Sequence, residues 1–359
     1  MMQLPADVQR DLEQKVRVKA ERTQKYGRVP APVSARHPGK MFAAVGSRLL
    51  FDEKWKTFYD FLFTYLGAVF PKDRFMSELE QPLEKRHPLM QWYHLLNDHR
   101  RRSGAAPGEL VKVDAPPAQV SALLAFAYDL YTLENHSLLQ QSLVKRLMRK
   151  EHFQGAWYEM YVAAATIRAG FTIELEDESD LSSSHCEFTA TYLPTGAKYS
   201  VEAKSRHRTG YLGQAGQPEP LDAIEADLRK LLVPALRKRA KYDRIVFIDV
   251  NVPPSESLLL ESSWFNKVAD QIVRLDNDAE AKGLPPALVY LTNFPYHFVE
   301  GDEPLRGSAA VMTGFNMPEF RDTMSGPLVI PQKYGAPLAS RDSVLRHTAV
   351  PHELAGFPE

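Results

Sequence analysis

The stretch His185-Cys-Glu-Phe-Thr-Ala-Thr-Tyr-Leu193, followed by Pro194-Thr-Gly196 and then Lys198-Tyr-Ser-Val-Glu-Ala-Lys204, decides the fold. Side chains of a strand alternate between its two faces. Tyr199, Val201 and Ala203 therefore share one face, and Ser200, Glu202 and Lys204 share the other. The preceding segment divides in the same way: Cys186, Phe188, Ala190 and Tyr192 are apolar on one side, and His185, Glu187, Thr189 and Thr191 are polar on the other. Between them Leu193-Pro194-Thr195-Gly196 has Pro at its second and Gly at its fourth position, the chemistry of a tight turn. The two segments read as an antiparallel hairpin that brings Glu187 near Glu202 and Lys204.

Outward from this hairpin the periods fall into order. His152 to Ala169 reads as a helix closed by Gly170, the residue favoured just past a helix C-terminus, and Phe171 to Glu176 alternates as a strand. Leu221 to Tyr242 is helical in period, with Pro234 placed to kink it or start a new helix. Arg244 to Val250 is a buried-strand run, Trp264 to Lys282 a helix, and Ala287 to Thr292 another strand. The predicted class is α/β, with a mixed central sheet flanked by helices, an αβββαβ core and an N-terminal, mostly helical unit. Residues 1–150 form that unit, 151–300 the α/β domain, and 301–359, with seven prolines, an irregular extension. Within the first unit, residues 1–40 hold nine Lys and Arg against four Asp and Glu and read as a basic helix followed by a Pro-rich extended arm. Trp55, Phe58, Tyr59, Leu62, Phe63 and Leu66 then follow helical spacing, as do residues from Pro88 to Arg100 and from Ala118 to Lys150. The run Ser103-Gly-Ala-Ala-Pro-Gly108 reads as a loop.

Composition bounds the rest. A chain of 359 residues exceeds the size at which one core stops growing, so two units are expected. Lys and Arg total 44 against 45 Asp and Glu, so attraction to nucleic acid or membrane must come from a local patch. The single cysteine, Cys186, excludes an internal disulfide and a thiol-rich metal site, and suits the cytosol. Charged residues near the N-terminus exclude a secretory leader there, and those in the most apolar window, Leu49 to Phe70, exclude a membrane span.

Two carboxylates and a lysine converging on one sheet face have a chemical use. Carboxylate oxygens suit a hard divalent cation such as Mg²⁺, which takes a substrate phosphate as a further ligand. The cation lowers the pKa of a bound water, and a lysine beside it orients that water. This chemistry is phosphodiester hydrolysis. Glu159 strengthens the pattern, being the only charged residue between Phe153 and Ile167, on a helix face of small and apolar neighbours. A buried carboxylate without a partner is costly there, and a cation would account for it. The tripeptide Glu202-x-Lys204 is not unique in the chain, since Glu13-Gln-Lys15, Asp52-Glu-Lys54 and Glu280-Ala-Lys282 also satisfy it. Only Glu202 lies in an alternating strand after a hairpin.

Over roughly residues 152–250 the chain resembles the PD-(D/E)XK nuclease superfamily. Glu202-Ala203-Lys204 matches its tripeptide, Glu187 takes the place of its acidic residue, and Glu159 that of its first-helix glutamate. His185-Cys186-Glu187 stands where Pro-Asp is typical. The resemblance implies a restriction-endonuclease-like fold, catalysis by Glu159, Glu187, Glu202 and Lys204, and Mg²⁺ or Mn²⁺ held by Glu159, Glu187, Glu202 and Ala203. Its substrate would be nucleic acid, DNA ahead of RNA, in restriction, repair or defence. The competing reading is an inert nuclease-like fold serving as a binding or scaffolding module.

Ser205, Arg206, His207 and Arg208 lead from Lys204 into a Gly-rich loop and are candidate phosphate contacts. His99-Arg100-Arg101-Arg102 and the cluster Arg237, Lys238, Arg239, Lys241 are candidate backbone-tracking patches or simply exposed helix faces. A protein partner or a second copy would use the helical unit. No phosphate-binding Gly-x-x-x-x-Gly-Lys loop, Gly-x-Ser-x-Gly elbow or His-Glu-x-x-His helix occurs.

Overall fold

A computed structural model of the protein describes residues 6–30, 32–102, 115–176, 185–255, 263–280, 282–304, 309–317, 335–346 and 350–351. The fold is mixed α/β, with ten α-helices, a six-stranded sheet and a three-stranded sheet among the described residues. The large sheet runs β4 (Phe171–Leu175), β5 (Phe188–Tyr192), β6 (Lys198–Ser205), β7 (Asp243–Asp249), β8 (Ala287–Asn293), β9 (Ala309–Phe315), in that spatial order. Its first three strands are antiparallel, β6, β7 and β8 are parallel, and β9 returns antiparallel.

Burial on both faces explains the apolar run in β7. Ile245 and Phe247 face α7 (Lys150–Arg168), while Val246 and Ile248 face α8 (Arg229–Arg237) and α9 (Ser263–Asn277). Central parallel strands covered by helices on both sides read as continuous hydrophobic runs for this reason. The helix α7 ends where expected, with Gly170 at φ +95°, a conformation that a Cβ disfavours.

The N-terminal part departs from the sequence reading. It opens with the expected basic helix α1 (Ala6–Tyr26), but residues 33–52 form a meander, β1 (Val33–His37), β2 (Lys40–Val45) and β3 (Arg48–Asp52), where an extended arm and then helix were expected. Gly39 and Gly46, at φ +78° and +54°, make the two tight turns. Four helices surround the aromatic core: α2 (Phe58–Val69), α3 (Lys72–Leu79), α4 (Pro88–Arg102) and α5 (Ala118–Asn135), with α6 (Gln141–Leu147) leading into α7. Phe58, Phe61, Tyr65 and Tyr131 pack edge to face or stacked, and the same apolar cluster continues through α5 and α7 to the sheet.

The C-terminal extension is not uniformly irregular. It supplies β9, whose Phe315 is fully buried, and a helix α10 (Gly335–Arg346) whose Ser343 donates to the Ala165 carbonyl of α7 at 2.5 Å. Alternation across β9 was outweighed, in the sequence, by the surrounding prolines. Residues 103–114 and 318–334, read as loop and tail, lie outside the described residues. The helix expected over 221–242 is confined to Arg229–Arg237, with Pro234 inside it.

Candidate functional site

The expected antiparallel hairpin forms. Phe188 pairs with Val201 and Thr191 with Lys198, and the turn closes on Gly196 at φ +73°. Glu187 lies one residue before β5, its N–H donating to the Val201 carbonyl at 2.9 Å, so it stands opposite Glu202. The site sits where β5 has just begun and β6 is still running.

Glu202 is fully buried. Its Oε1 lies 2.6 Å from Lys204 Nζ and 2.8 Å from Lys238 Nζ. Both contacts are ion pairs, and Oε2 has no hydrogen-bond partner. Glu187 Oε1 accepts from the same Lys238 Nζ at 3.1 Å and lies 3.9 Å from Lys204 Nζ. Two carboxylates therefore meet across one ammonium. Burial, then the nearby Glu187, pushes the Glu202 carboxyl up from its ordinary value, against the pull of the two lysines. Burial alone would lower the Lys238 ammonium, but Glu202 and Glu187 outweigh it and raise it.

Glu159 stands apart from this pair. Its Oε2 is held by Arg146 Nη1 at 2.6 Å. Burial, with a further contribution from Glu187, raises its carboxyl to about 7, so it feels the site electrostatically. The expected three-carboxylate cluster does not assemble: among the described residues no three His, Cys, Asp or Glu side chains are placed to hold one ion. Arg146, from the end of α6, has claimed the third carboxylate.

The residues present fit a divalent cation held by fewer protein groups. The unpartnered, buried Oε2 of Glu202 is an anionic oxygen with no donor, and Glu187 shares its side of the strands. Because carbonyls alternate along a strand and that of Val201 points to β5, that of Ala203 points to the same edge, beyond the start of β5. Mg²⁺ retains several waters and needs only one or two carboxylates.

The loop after Lys204 turns inward instead of lining a mouth. Ser205 Oγ donates to Asp249 Oδ2 at 3.3 Å and accepts from Gln154 Nε2 at 2.9 Å. Arg208, 4% exposed, donates from Nε to the Asn251 carbonyl at 2.9 Å and from Nη2 to that of Glu225 at 2.7 Å. Both are structural, because the loop must cross the open ends of β6 and β7 and leaves main-chain carbonyls to be satisfied. The Arg206 Nε is buried as well, and His207 alone of the four is exposed. In the other basic patches some side chains have partners of their own. Arg100 and Arg101 pair with Asp60 and Asp98, Arg102 with Asp302, and Lys241 lies over the Tyr242 ring.

Lys238 is the residue the sequence did not single out. It read as one cation in a run of four, and nothing in its spacing shows that the end of α8 points it inward. Cys186, buried, has its thiol raised to about 11 by burial and then by Glu202, so it stays protonated and unreactive. No helix among the described residues is long and apolar enough to cross a membrane. Comparison of the chain with protein-family models, curated proteins and solved structures finds no match in any of the three.

Proposed function

We propose that the chain hydrolyses nucleic-acid phosphodiester bonds with the help of Mg²⁺ or Mn²⁺, at a site built from Glu187, Glu202 and Lys204. The observation that supports this best is the buried Glu202 carboxylate, with one oxygen unpartnered, on the same face of β6 as Lys204 and facing Glu187. A bound divalent cation would supply a water of lowered pKa and charge neutralisation at the phosphate. Glu187 and Glu202 would hold it, with the Ala203 carbonyl beside them. Lys204, whose Nζ lies 2.6 Å from Glu202 Oε1, would offer its ammonium as a hydrogen-bond donor to a water attacking the phosphate. Glu159 keeps Arg146 in place and adds negative potential. A reducing compartment, with DNA ahead of RNA as substrate, completes the reading.

One observation favours a second reading. Lys238 and Lys204 together already balance the two carboxylates, as they would in an inert fold that only binds. The two readings part on one assay: cleavage of single- and double-stranded DNA and RNA with Mg²⁺ or Mn²⁺ against EDTA. The nuclease reading expects metal-dependent cleavage that Glu202→Gln and Lys204→Ala each reduce by about 10²-fold or more. Calorimetry should show Mn²⁺ binding retained in Lys204→Ala and lost in Glu202→Gln. Wild-type cleavage by both variants would place the chemistry elsewhere.

A further inference from the structure

The proposed chemistry gives Lys238 no part, although it sits at the centre of the site. Its Nζ lies 2.8 Å from Glu202 Oε1 and 3.1 Å from Glu187 Oε1. Lys204 touches Glu202 at 2.6 Å but stands 3.9 Å from Glu187. Of the two ammonium groups, only that of Lys238 is within hydrogen-bond distance of both carboxylates. A cation shared by Glu187 and Glu202 must likewise lie against an oxygen of each, so the ammonium stands where that ion would. The main chain around Lys238 is tied down. At the end of α8 its N–H donates to the Ala235 carbonyl and its own carbonyl accepts from Arg244 Nη2, each at 3.3 Å. Arg239 bridges to His185, and its carbonyl accepts from Cys186 Sγ at 3.7 Å. The N–H groups of Lys241 and Tyr242 both donate to Ser200 Oγ at 3.1 Å. The segment is thus fastened to the chain on both sides of the carboxylates, beside Glu187 and along β6. The side chain is freer: it is 19% exposed, and a lysine stem is flexible, so the ammonium can swing out to water with the backbone in place.

We infer that the Lys238 ammonium holds the cation's place between Glu187 and Glu202, so that a divalent metal enters only by displacing it. The inference rests on the metal reading of the preceding subsection and names how that site is regulated. Charge balance gives the reason. Glu187 and Glu202 bring two negative charges to the site, and Lys204 and Lys238 bring two positive ones. A divalent ion added to this balanced set meets two like charges at short range, in partly buried surroundings where that repulsion is strong. With the ammonium of Lys238 turned out to water, only Lys204 opposes the ion. The tether keeps the ammonium always near its place, at a high effective concentration that a metal must outcompete. Two consequences follow from that competition. The carboxylates are held together before any metal arrives, and metal affinity is weaker than the same carboxylates would give without Lys238.

The test is Mn²⁺ titration of the full chain by calorimetry, with melting temperatures taken in EDTA and in Mn²⁺. Lys238→Met keeps an unbranched apolar stem and removes the charge. In EDTA it should melt below the wild type, because two carboxylates are then left with one ammonium. It should bind Mn²⁺ more tightly than the wild type by about tenfold or more, and gain more in melting temperature from the metal. Should Lys238→Met fail to fold in EDTA, Lys238→Gln, which keeps one donor for a carboxylate, carries the same comparison. Lys204→Ala removes an equal charge from the same pair and should tighten Mn²⁺ binding far less. Tight binding by Lys238→Met with none in the wild type would also assign the cation's place to Lys238, and would decide for the inert fold. A wild type that binds Mn²⁺ as tightly as Lys238→Met overturns the inference and leaves the proposed nuclease function standing. Equal tightening by Lys204→Ala overturns it too, being the mark of nearby charge in place of occupancy. So does a lowered melting temperature in Lys238→Met that Mn²⁺ does not restore, the behaviour of a purely structural ion pair. If neither protein binds Mn²⁺, the metal reading falls together with the inference.

Discussion

Asp249 and Glu202 are both buried carboxyls at the carboxyl half of the sheet, and they are stabilised by opposite means. Glu202 has two ammonium groups within 2.8 Å. Asp249 has only neutral donors, among them Ser205 Oγ and the Phe294 N–H, each at 3.3 Å. Burial therefore wins at Asp249, which rises from 3.8 to about 7. The folded chain holds this proton more tightly than the unfolded chain does. The stability it contributes is whole below pH 4 and is lost as pH rises through 7. On the order of 4 kcal/mol is at stake over that window, with Glu159, raised to about 7, adding the same sign. Urea midpoints should fall between pH 4 and pH 8 in the wild type, and Asp249→Asn should make that slope shallower, the raised Glu159, Asp129 and Glu202 carboxyls supplying the rest. An unchanged slope would mean that Asp249 titrates normally. At this scale the candidate site was legible for a specific reason: period-two alternation fixes which of Glu187, Glu202 and Lys204 share a face. Lys238 was not legible, because its direction depends on where α8 stops, and Arg146 was not, because α6 and α7 meet only in the tertiary structure.

Among the elements, α5 and α7 are joined by a charge pair that the sequence could not reveal, since Asp129 and Arg168 lie thirty-nine residues apart. Both side chains are buried, and Arg168 also lies over the Tyr128 ring at 5.6 Å. Removing one partner of such a pair strands the other charge, at a cost of roughly 3–5 kcal/mol, whereas replacing both with apolar groups is often nearly neutral. Asp129→Ala should lower stability by about that amount in urea denaturation, and Asp129→Leu with Arg168→Met should recover most of it. A cost below about 1 kcal/mol for Asp129→Ala would show the pair to be solvated. The helices themselves were readable from the spacing of Phe58, Leu62 and Leu66 or of Leu123, Leu124, Ala127, Tyr128 and Tyr131. The meander β1–β3 was not, because Pro30, Pro32 and Pro38 mask a short alternating run whose outer face keeps Phe51 exposed.

For the molecule as a whole, composition and length suggested two units, yet the apolar cluster is continuous. Phe58 and Tyr65 of α2, Phe126 and Leu130 of α5, Phe153 and Met160 of α7, and Val201 and Phe247 of the sheet belong to one contiguous core. The helix α7 is the shared element, with its sides covered by α5 and α6 on one hand and by the sheet on the other, so that fourteen of its residues are buried. Burying a large apolar side chain stabilises by roughly 1.5–3 kcal/mol, and a chain begun at Lys150 would expose the side of α7 that α5 covers. The N-terminal half and the sheet should therefore unfold together. The four tryptophans provide the probes, since Trp55 and Trp92 lie in the helical part and Trp264 lies on α9, across the sheet from α7. Variants retaining only Trp55 or only Trp264 should give coincident urea midpoints and equal slopes, the mark of one cooperative unit. A chain begun at Lys150 should lack the near-ultraviolet dichroism of a packed core. Two separated midpoints, or a folded C-terminal fragment, would show instead that α7 needs only the sheet, and that the helical part is a separable partner surface.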